Sequence, residues 1–407
     1  MRYALALICA APLACFAVAP VFEPDLATVG SVPRTEVPAA AVKQALADPI
    51  KGRPYQVAVA VEVALSEARG QWEQRGAQRN WRLRVGSPGA RTLGLRLEPS
   101  MLPEGSALWV YDPAGRLRHG PFDAARIAAD GAWIPPVGGD ELVLEVRAPA
   151  GVERIELGAV KAFHGFRDWD DASPKAAGSC NIDITCPAAN AWTQDGRSVA
   201  RILIGNAFLC TGQMINNVLQ DKRRLFLTAN HCGVGDAGSP ASSVMFYFGY
   251  EGPCDDGVPN TPPAPTFQGS QHLAHDIQSD FALLEITDAA PLPATLFFAG
   301  WDASGAGSDS GVSIHHPGGD EKKIAFFSTA VTADRVNIGF QCSTDAWVVN
   351  WSSGTTEPGS SGGGLWNSAH RLIGVLSGGL ASCTNQTGED YFARLDRGWT
   401  ANPATTG

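Results

Sequence analysis

Turn-forming residues interrupt this sequence so often that long helices have nowhere to run. The 407 residues include 45 glycines and 28 prolines, which favour turns and short strands over long helices. Hydrophobic residues make up 44% of the chain, enough for packed cores, while charged residues reach only 18%, below the usual quarter. The expected fold is therefore all-β, and the length suits two or three domains.

From Tyr55 to Phe163 the texture is regular. "YQVAVAVEVAL", "NWRLRVGS", "RTLGLRLEPS", "ALWVYDP" and "ELVLEVRAP" alternate apolar and polar positions, with "DPAGR" and "PVGGDE" as turns between them. This pattern predicts an antiparallel β-sandwich over about 55–163. It holds no chemical constellation, and His119 and His164 read as surface or packing residues. Residues 20–55 are Pro/Ala-rich and read as an extended or partly ordered leader. "FRDWDDASPKAAGSCN", 166–181, is polar and small and reads as a linker and domain boundary. From 180 to 400, short apolar runs broken by Gly, Pro and Ser suit a β-barrel or double barrel.

Cysteine placement marks the compartment. After Cys9 and Cys15 none occurs until Cys180, followed by Cys186, Cys210, Cys232, Cys254, Cys342 and Cys383. That cluster suggests disulfides formed in an oxidising environment. A zinc site is the rival, and it lacks a second close pair at finger or ribbon spacing. Seven is odd, so at least one thiol is spare or pairs between chains. The opening "MRYALALICAAPLACFAVAP" has a basic n-region at Arg2, an apolar run and a small-residue cleavage site at Ala17-Val18-Ala19, which reads as a signal peptide over 1–19. A lipoprotein signal at Cys15 is disfavoured by Pro12. No later segment approaches the length of a membrane span. The reading is an exported, soluble monomer, in the extracellular space or the periplasm. The net charge of −10 falls wholly after Lys175, where 11 Lys and Arg face 21 Asp and Glu. An acidic half disfavours nucleic acid and attracts cationic substrates.

Residues 354–366, "GTTEPGSSGGGLW", read alone as either a Gly/Ser spacer or a serine presented on a tight turn. "LFLTANHCG" at 225–233 runs an apolar strand into His231, and "SDFALL" at 279–284 puts Asp280 at the start of another buried strand. Each motif alone has a bland reading: a structural histidine, a strand-edge carboxylate, a linker. Together they present His231, Asp280 and Ser361 in that order, 49 and 81 residues apart, one of the orders found for nucleophilic triads. Serine catalysis needs a base, an acid that orients it, and donors for the oxyanion. The glycines around Ser361 let a turn expose it while the Gly359 and Ser361 amides aim at one spot, a candidate oxyanion hole.

At these residues the chain resembles the trypsin-like serine proteases, and within them the bacterial lysyl endopeptidases. "FLTANHCG", "SDFALLE" and "TEPGSSGG" carry the resemblance, supported by "GSCNIDITC", "CTGQMINN", "FFAGWD", "IHHPGGDEKKI" and "DYFARLD". It covers about 178–399. The resemblance implies two six-stranded β-barrels with the site between them, and synthesis as a secreted precursor. It implies that Asp390 lies in the primary pocket facing a Lys or Arg side chain, with Glu389 beside it as the competing carboxylate. Ala393, where relatives usually have Gly, would narrow that pocket. Ser377-Gly378-Gly379 would pair with substrate backbone. Lysyl endopeptidases can carry His where Ser377 stands, stacked on a Trp matching Trp351; here the Trp is present and the His is not, which leaves Arg open beside Lys. The resemblance pairs Cys180 with Cys383, Cys186 with Cys254 and Cys210 with Cys232, leaving Cys342 as a buried free thiol. Relatives usually continue into a final helix, whereas this chain ends soon after Trp399.

The mechanism expected is acyl transfer to water, with protein or peptide substrates and no metal or organic cofactor. His315-His316 would make a poor shared metal site, because neighbours on a strand point to opposite faces. Self-cleavage after Lys175, leaving Ala176 as the new N-terminus, would make 20–175 a propeptide and 176–407 the protease domain. In many chymotrypsin-like zymogens the new ammonium pairs with an Asp just before the nucleophile. Ser360 stands there, so activation would proceed by removing the pro-region. Two other classes remain: a catalytically inactive protease fold used for binding, and a surface-binding protein whose β-sandwich is the working part.

Overall fold

The computed structural model describes residues 22–47, 55–158, 160–167, 177–235, 239–254, 265–339 and 342–401. The expected signal peptide, Lys175 and Ala176 lie outside the described residues.

The N-terminal part is a two-sheet sandwich. One sheet orders the strands Arg34–Glu36, Gln78–Gly86, Glu141–Pro149, Ala107–Tyr111 and Arg118–Asp123, with Gln71–Arg75 also paired to Gln78–Gly86. The other orders Ala58–Val63, Val160–Gly165, Thr92–Leu97 and Ala132–Gly138. Period-two alternation produces the core between them: Trp81, Leu83 and Val85 meet Leu142, Leu144 and Val146 from one sheet, and Leu93, Leu95 and Val160 from the other. His119 and His164 are both buried, as packing residues.

The leader differs from expectation. Val143 and Tyr111 point to the opposite face of their sheet, and Phe22 and Val29 from the leader cover them. Phe22 stacks on Trp109 with centroids 4.1 Å apart. A helix, Ala39–Ala47, follows. A few well-spaced apolar residues anchor a segment whose patterning is too sparse to read as structure.

The C-terminal part holds two eight-stranded sheets in the chymotrypsin-like arrangement. The first orders Phe267–Gln268, Met245–Phe248, Val199–Ile204, Phe208–Met214, Leu225–Thr228, Phe281–Ile286 and Ser270–Asp276, and its eighth strand, Tyr55–Gln56 from the N-terminal part, pairs with Phe208–Met214. The second orders Ile182–Asp183, Lys323–Phe327, Gly311–His315, Gly364–Asn367, Leu372–Gly379, Glu389–Arg394, Cys342–Asn350 and Thr332–Gly339. Each sheet thus gains two short or peripheral strands over the six expected. The disulfides Cys180–Cys383, Cys186–Cys254 and Cys210–Cys232 are those the resemblance implied. The Cys342 side chain lies outside the described residues. Leu395–Ala401 forms a helix, with Trp399 against Trp301 at 4.4 Å, so a short helix does follow the last strand.

The boundary between the two parts is also not where the texture changes. Tyr55-Gln56, which opens the first alternating run, pairs with Leu209 and Phe208 in the first C-terminal sheet. Val57 N–H continues the contact to Ala207 O at 2.8 Å. Val57, Ala58, Trp133 and Phe163 share one apolar cluster with Ile202, Phe208 and Phe246. At the other end, Ala177 and Asn181 from the supposed linker are buried within the C-terminal part.

Asn206 keys the two parts together. It sits in the hairpin loop Gly205-Asn206-Ala207, with φ 57° at Gly205 and 55° at Asn206, a left-handed conformation that Asn tolerates better than most residues. Its side chain enters the sandwich at an irregularity in the Thr92–Leu97 strand and donates to Leu95 O at 3.2 Å and Ile134 O at 3.0 Å. Asn206→Gly keeps the loop's backbone freedom and removes both bonds; it should lower stability by about 2 kcal/mol. Urea unfolding measures this as a lower midpoint, and an unchanged midpoint would refute the keying role.

Candidate active site

Strand pairing brings together residues far apart in sequence. The buried strand Leu225–Thr228 ends in the turn Asn230–Cys232, which carries His231. Cys232 is bonded to Cys210 in the neighbouring strand Phe208–Met214, which fixes the turn to the sheet. Phe281–Ile286 pairs with Leu225–Thr228, Ala282 opposite Thr228, so Asp280 arrives beside His231. Asp280 adopts φ 45°, an uncommon value for a residue with a side chain and one that often marks a constrained functional position. Its Oδ1 accepts His231 N–H at 2.8 Å, and its Oδ2 meets His231 Nδ1 at 2.9 Å. Asp280 is 1% exposed. With Nδ1–H donated to the carboxylate, Nε2 is the nitrogen left with a lone pair.

The serine turn comes from the other sheet and is docked on the first. Thr211 N–H donates to Ser361 O at 2.7 Å, and Thr211 Oγ1 donates to Gly359 O at 3.0 Å. Gly362, at φ 80°, lies so close that a Cβ there would fall 2.2 Å from Thr228 Oγ1, so any side chain would push the turn off the His231 strand. Among the described residues neither the Gly359 nor the Ser361 amide donates a hydrogen bond, which leaves both for an oxyanion. His231, Gly359 and Ser361 line one cavity of about 530 Å³.

Asp390 lines the same cavity. Strand alternation buries it and exposes Glu389, which separates the two neighbouring carboxylates. Asp390 Oδ2 accepts Trp351 Nε1–H and Thr356 Oγ1–H, both at 2.7 Å, and Oδ1 accepts Ala381 N–H at 3.2 Å. Burial outweighs these donors and pushes the carboxyl up to about 6. Gly379 gives it access: a Cβ there would lie 1.9 Å from Asp390 Oδ1. Beyond Leu376, whose N–H and C=O are bonded to Gly363 and Gly362, the stretch Ser377-Gly378-Gly379 faces the cavity. Trp351 is 5.9 Å from Phe392, edge to face; its bond to Asp390 makes it a donor behind the cavity rather than a stacking partner within it. Ala393 is buried in the apolar core beside Val375 and Trp366 and is not among the residues lining the cavity, so the narrowing expected there does not occur.

Three further residues at this cavity have no sequence signal of their own. Tyr55, Gln56 and Arg167 reach it from the N-terminal part, and the Arg167 guanidinium lies 4.8 Å over the Tyr55 ring. Thr356 and Thr211 are ordinary threonines until folding brings them against Asp390 and the serine turn. His315 and His316, both buried, face different partners: His315 Nδ1 lies 2.8 Å from Ser360 Oγ, and His316 Nδ1 lies 2.9 Å from Asp320 O.

The family model of the lysyl endopeptidase C-terminal domain matches residues 174–393, and that of the lysyl endopeptidase N-terminal domain matches 28–158. A lysyl endopeptidase of Pseudomonas aeruginosa is 31% identical over 288 residues, covering 64% of this chain and 60% of that protein. Among solved structures, the active form of the Rv3671c protease from M. tuberculosis aligns over 58% of this chain and 88% of its own, at 21% identity and TM-score 0.37. The HtrA-type protease AlgW with a tripeptide aligns over 55% of this chain and 65% of its own, at 17% identity and TM-score 0.38.

Proposed function

The chain belongs to the lysyl endopeptidase family, and from that membership we propose that it is a serine endopeptidase cutting peptide bonds after basic residues, Lys favoured. Ser361 Oγ attacks the carbonyl. His231 takes the hydroxyl proton and returns it to the leaving amine, and water then repeats the sequence on the acyl-enzyme. Asp280 orients His231 and stabilises its cationic form. The Gly359 and Ser361 amides bind the oxyanion. The observation that carries this reading is the double hydrogen bond from His231 to Asp280 in a cavity shared with Ser361.

Asp390 is the specificity residue in this reading. A buried carboxylate in the cavity rewards a cationic side chain and leaves an uncharged one facing an unpaired acceptor. Its Oδ2 already takes two donors. That disfavours the two-oxygen fork a guanidinium prefers and suits the point charge of an ammonium on Oδ1. The P. aeruginosa relative's name fits this preference.

The N-terminal part acts as a propeptide here. Tyr55, Gln56 and Arg167 at the cavity support a role in covering the site until cleavage after Lys175 yields Ala176. Three disulfides support residence outside the reducing cytosol. The test maps the N-terminus of the exported protein, native and Ser361→Ala side by side. A start at Ala176 only in the native chain is expected. A sandwich retained in both would refute self-processing and favour a binding protein. The same cut in both would assign maturation to another protease.

A further inference from the structure

The turn carrying Ser361 has a latch behind it that the mechanism above does not use. Ser360 is fully buried, and its side chain points away from the cavity into the second sheet. Its Oγ accepts Glu357 N–H at 3.2 Å across the turn and meets His315 Nδ1 at 2.8 Å. Ser360 N–H closes the same turn on Glu357 O at 3.0 Å, and Gly318 N–H, just beyond His315, donates to Pro358 O at 2.6 Å. His315 ends the rigid strand Gly311–His315, which pairs on both sides, with Lys323–Phe327 and with Gly364–Asn367. The turn that presents Gly359 and Ser361 is therefore held from beneath by a residue of the sheet.

We propose that His315 is a positioning residue for the oxyanion hole, acting through Ser360 to preset the Glu357–Ser361 turn in the uncut chain. This rests on the protease reading above. An Asp in place of Ser360 would be a buried charge requiring a cation, and only a freed N-terminus would supply one at the right moment. A hydroxyl needs none. It is matched by an imidazole that burial, reinforced by the Lys323 ammonium, pushes down to about 3, so that it stays neutral. The described residues just after the proposed cut are bonded as peptides: Ala177 N–H donates to Asp320 at 3.2 Å and Gly178 N–H to Glu357 at 2.8 Å. Among the described residues, no contact in the latch needs an ammonium. Cleavage uncovers a finished site rather than building one.

The experiment compares the exported protein, freed of its N-terminal part, with Ser360→Ala, His315→Leu and His315→Asn prepared to the same N-terminus, each normalised to sites titrated by a serine-directed phosphonate. Asn keeps an acceptor close to the position of Nδ1. Ser360→Ala and His315→Leu should lower kcat about 10- to 100-fold with KM within twofold, because Asp390 is untouched. A peptide aldehyde, which forms the tetrahedral oxyanion, should bind more weakly by the same factor, while a simple alkylamine binding at Asp390 should not change. His315→Asn should recover most of the loss. A merely structural loss would reduce the number of titrated sites and leave kcat per site intact. That result, or aldehyde affinity unchanged in Ser360→Ala, would overturn the proposal. Failure of the parent itself to react at Ser361 would be recognisable separately and would remove the protease reading together with this one.

Discussion

Ser361→Ala, brought to the same N-terminus as the native protein by an added protease, is expected to lose about 10⁵- to 10⁶-fold in kcat on a lysyl peptide substrate, with KM little changed. The hydroxyl oxygen is the atom that forms the acyl bond, so no neighbour compensates for it. The oxyanion donors and Asp390 survive the change, and a small residual rate over water should remain. The folded state should be unaffected, because the backbone of residue 361 holds the turn through its carbonyl on Thr211 N–H and not through its side chain. Equal thermal unfolding of native and variant chains, with phosphonate labelling lost only in the variant, is the outcome that fits. Labelling that persists in Ser361→Ala, or hydrolysis within tenfold of native, would place the nucleophile elsewhere.

Asp390→Asn should separate specificity from stability in opposite directions. Removing the charge should lower kcat/KM for a Lys substrate about 10³- to 10⁴-fold, since the ammonium is then buried against a neutral amide. The same substitution should stabilise the fold at pH 8. The folded carboxyl titrates at about 6 against an ordinary 3.8, with burial the leading cause. Its ionised form is therefore disfavoured by folding, a penalty absent below the unfolded value, growing as pH rises between the two, and complete above the folded one. The difference corresponds to about 3 kcal/mol. Asn would face Ala381 N–H with its own NH₂ and forfeit that bond, so the net gain should be about 1–2 kcal/mol, a rise of a few degrees in Tm. At pH 4, where the parent carboxyl is protonated as well, the gain should vanish. A Tm lower than the parent's at pH 8 would contradict the burial argument. In the parent, KM for a lysyl substrate should rise as pH falls below about 6, because the protonated carboxyl no longer attracts the cation.

Local residue pattern carries much of this architecture and stops at identifiable places. The alternating runs of the sandwich are legible because one face of each strand is buried and the other is not. The leader is not legible, because Phe22 and Val29 cover a second buried face on Val143 and Tyr111 that no pattern within the leader announces. Tyr55-Gln56 reads as the start of a sandwich strand and instead completes the other part's sheet; two residues are too few to declare a partner. In "IHHPGGDEKKI" the composition marks something unusual, yet only the approach of His315 to Ser360 gives it a task.

The sequence by itself determined the candidates for the proposed chemistry: a base, an orienting acid and a serine in a glycine-rich turn, in an order and a turn context that few other uses require, together with the cysteines that pair in the structure. Only the tertiary structure decided which of two neighbouring carboxylates lines the cavity and what holds the serine turn. Glu389 and Asp390 are equivalent as neighbouring letters. They differ because alternation along Glu389–Arg394 sends one to solvent and the other inward, where Trp351, Thr356 and Ala381 converge on it. Desolvation and hydrogen-bond supply depend on residues remote in the chain, and those are assembled by packing rather than written at the position itself.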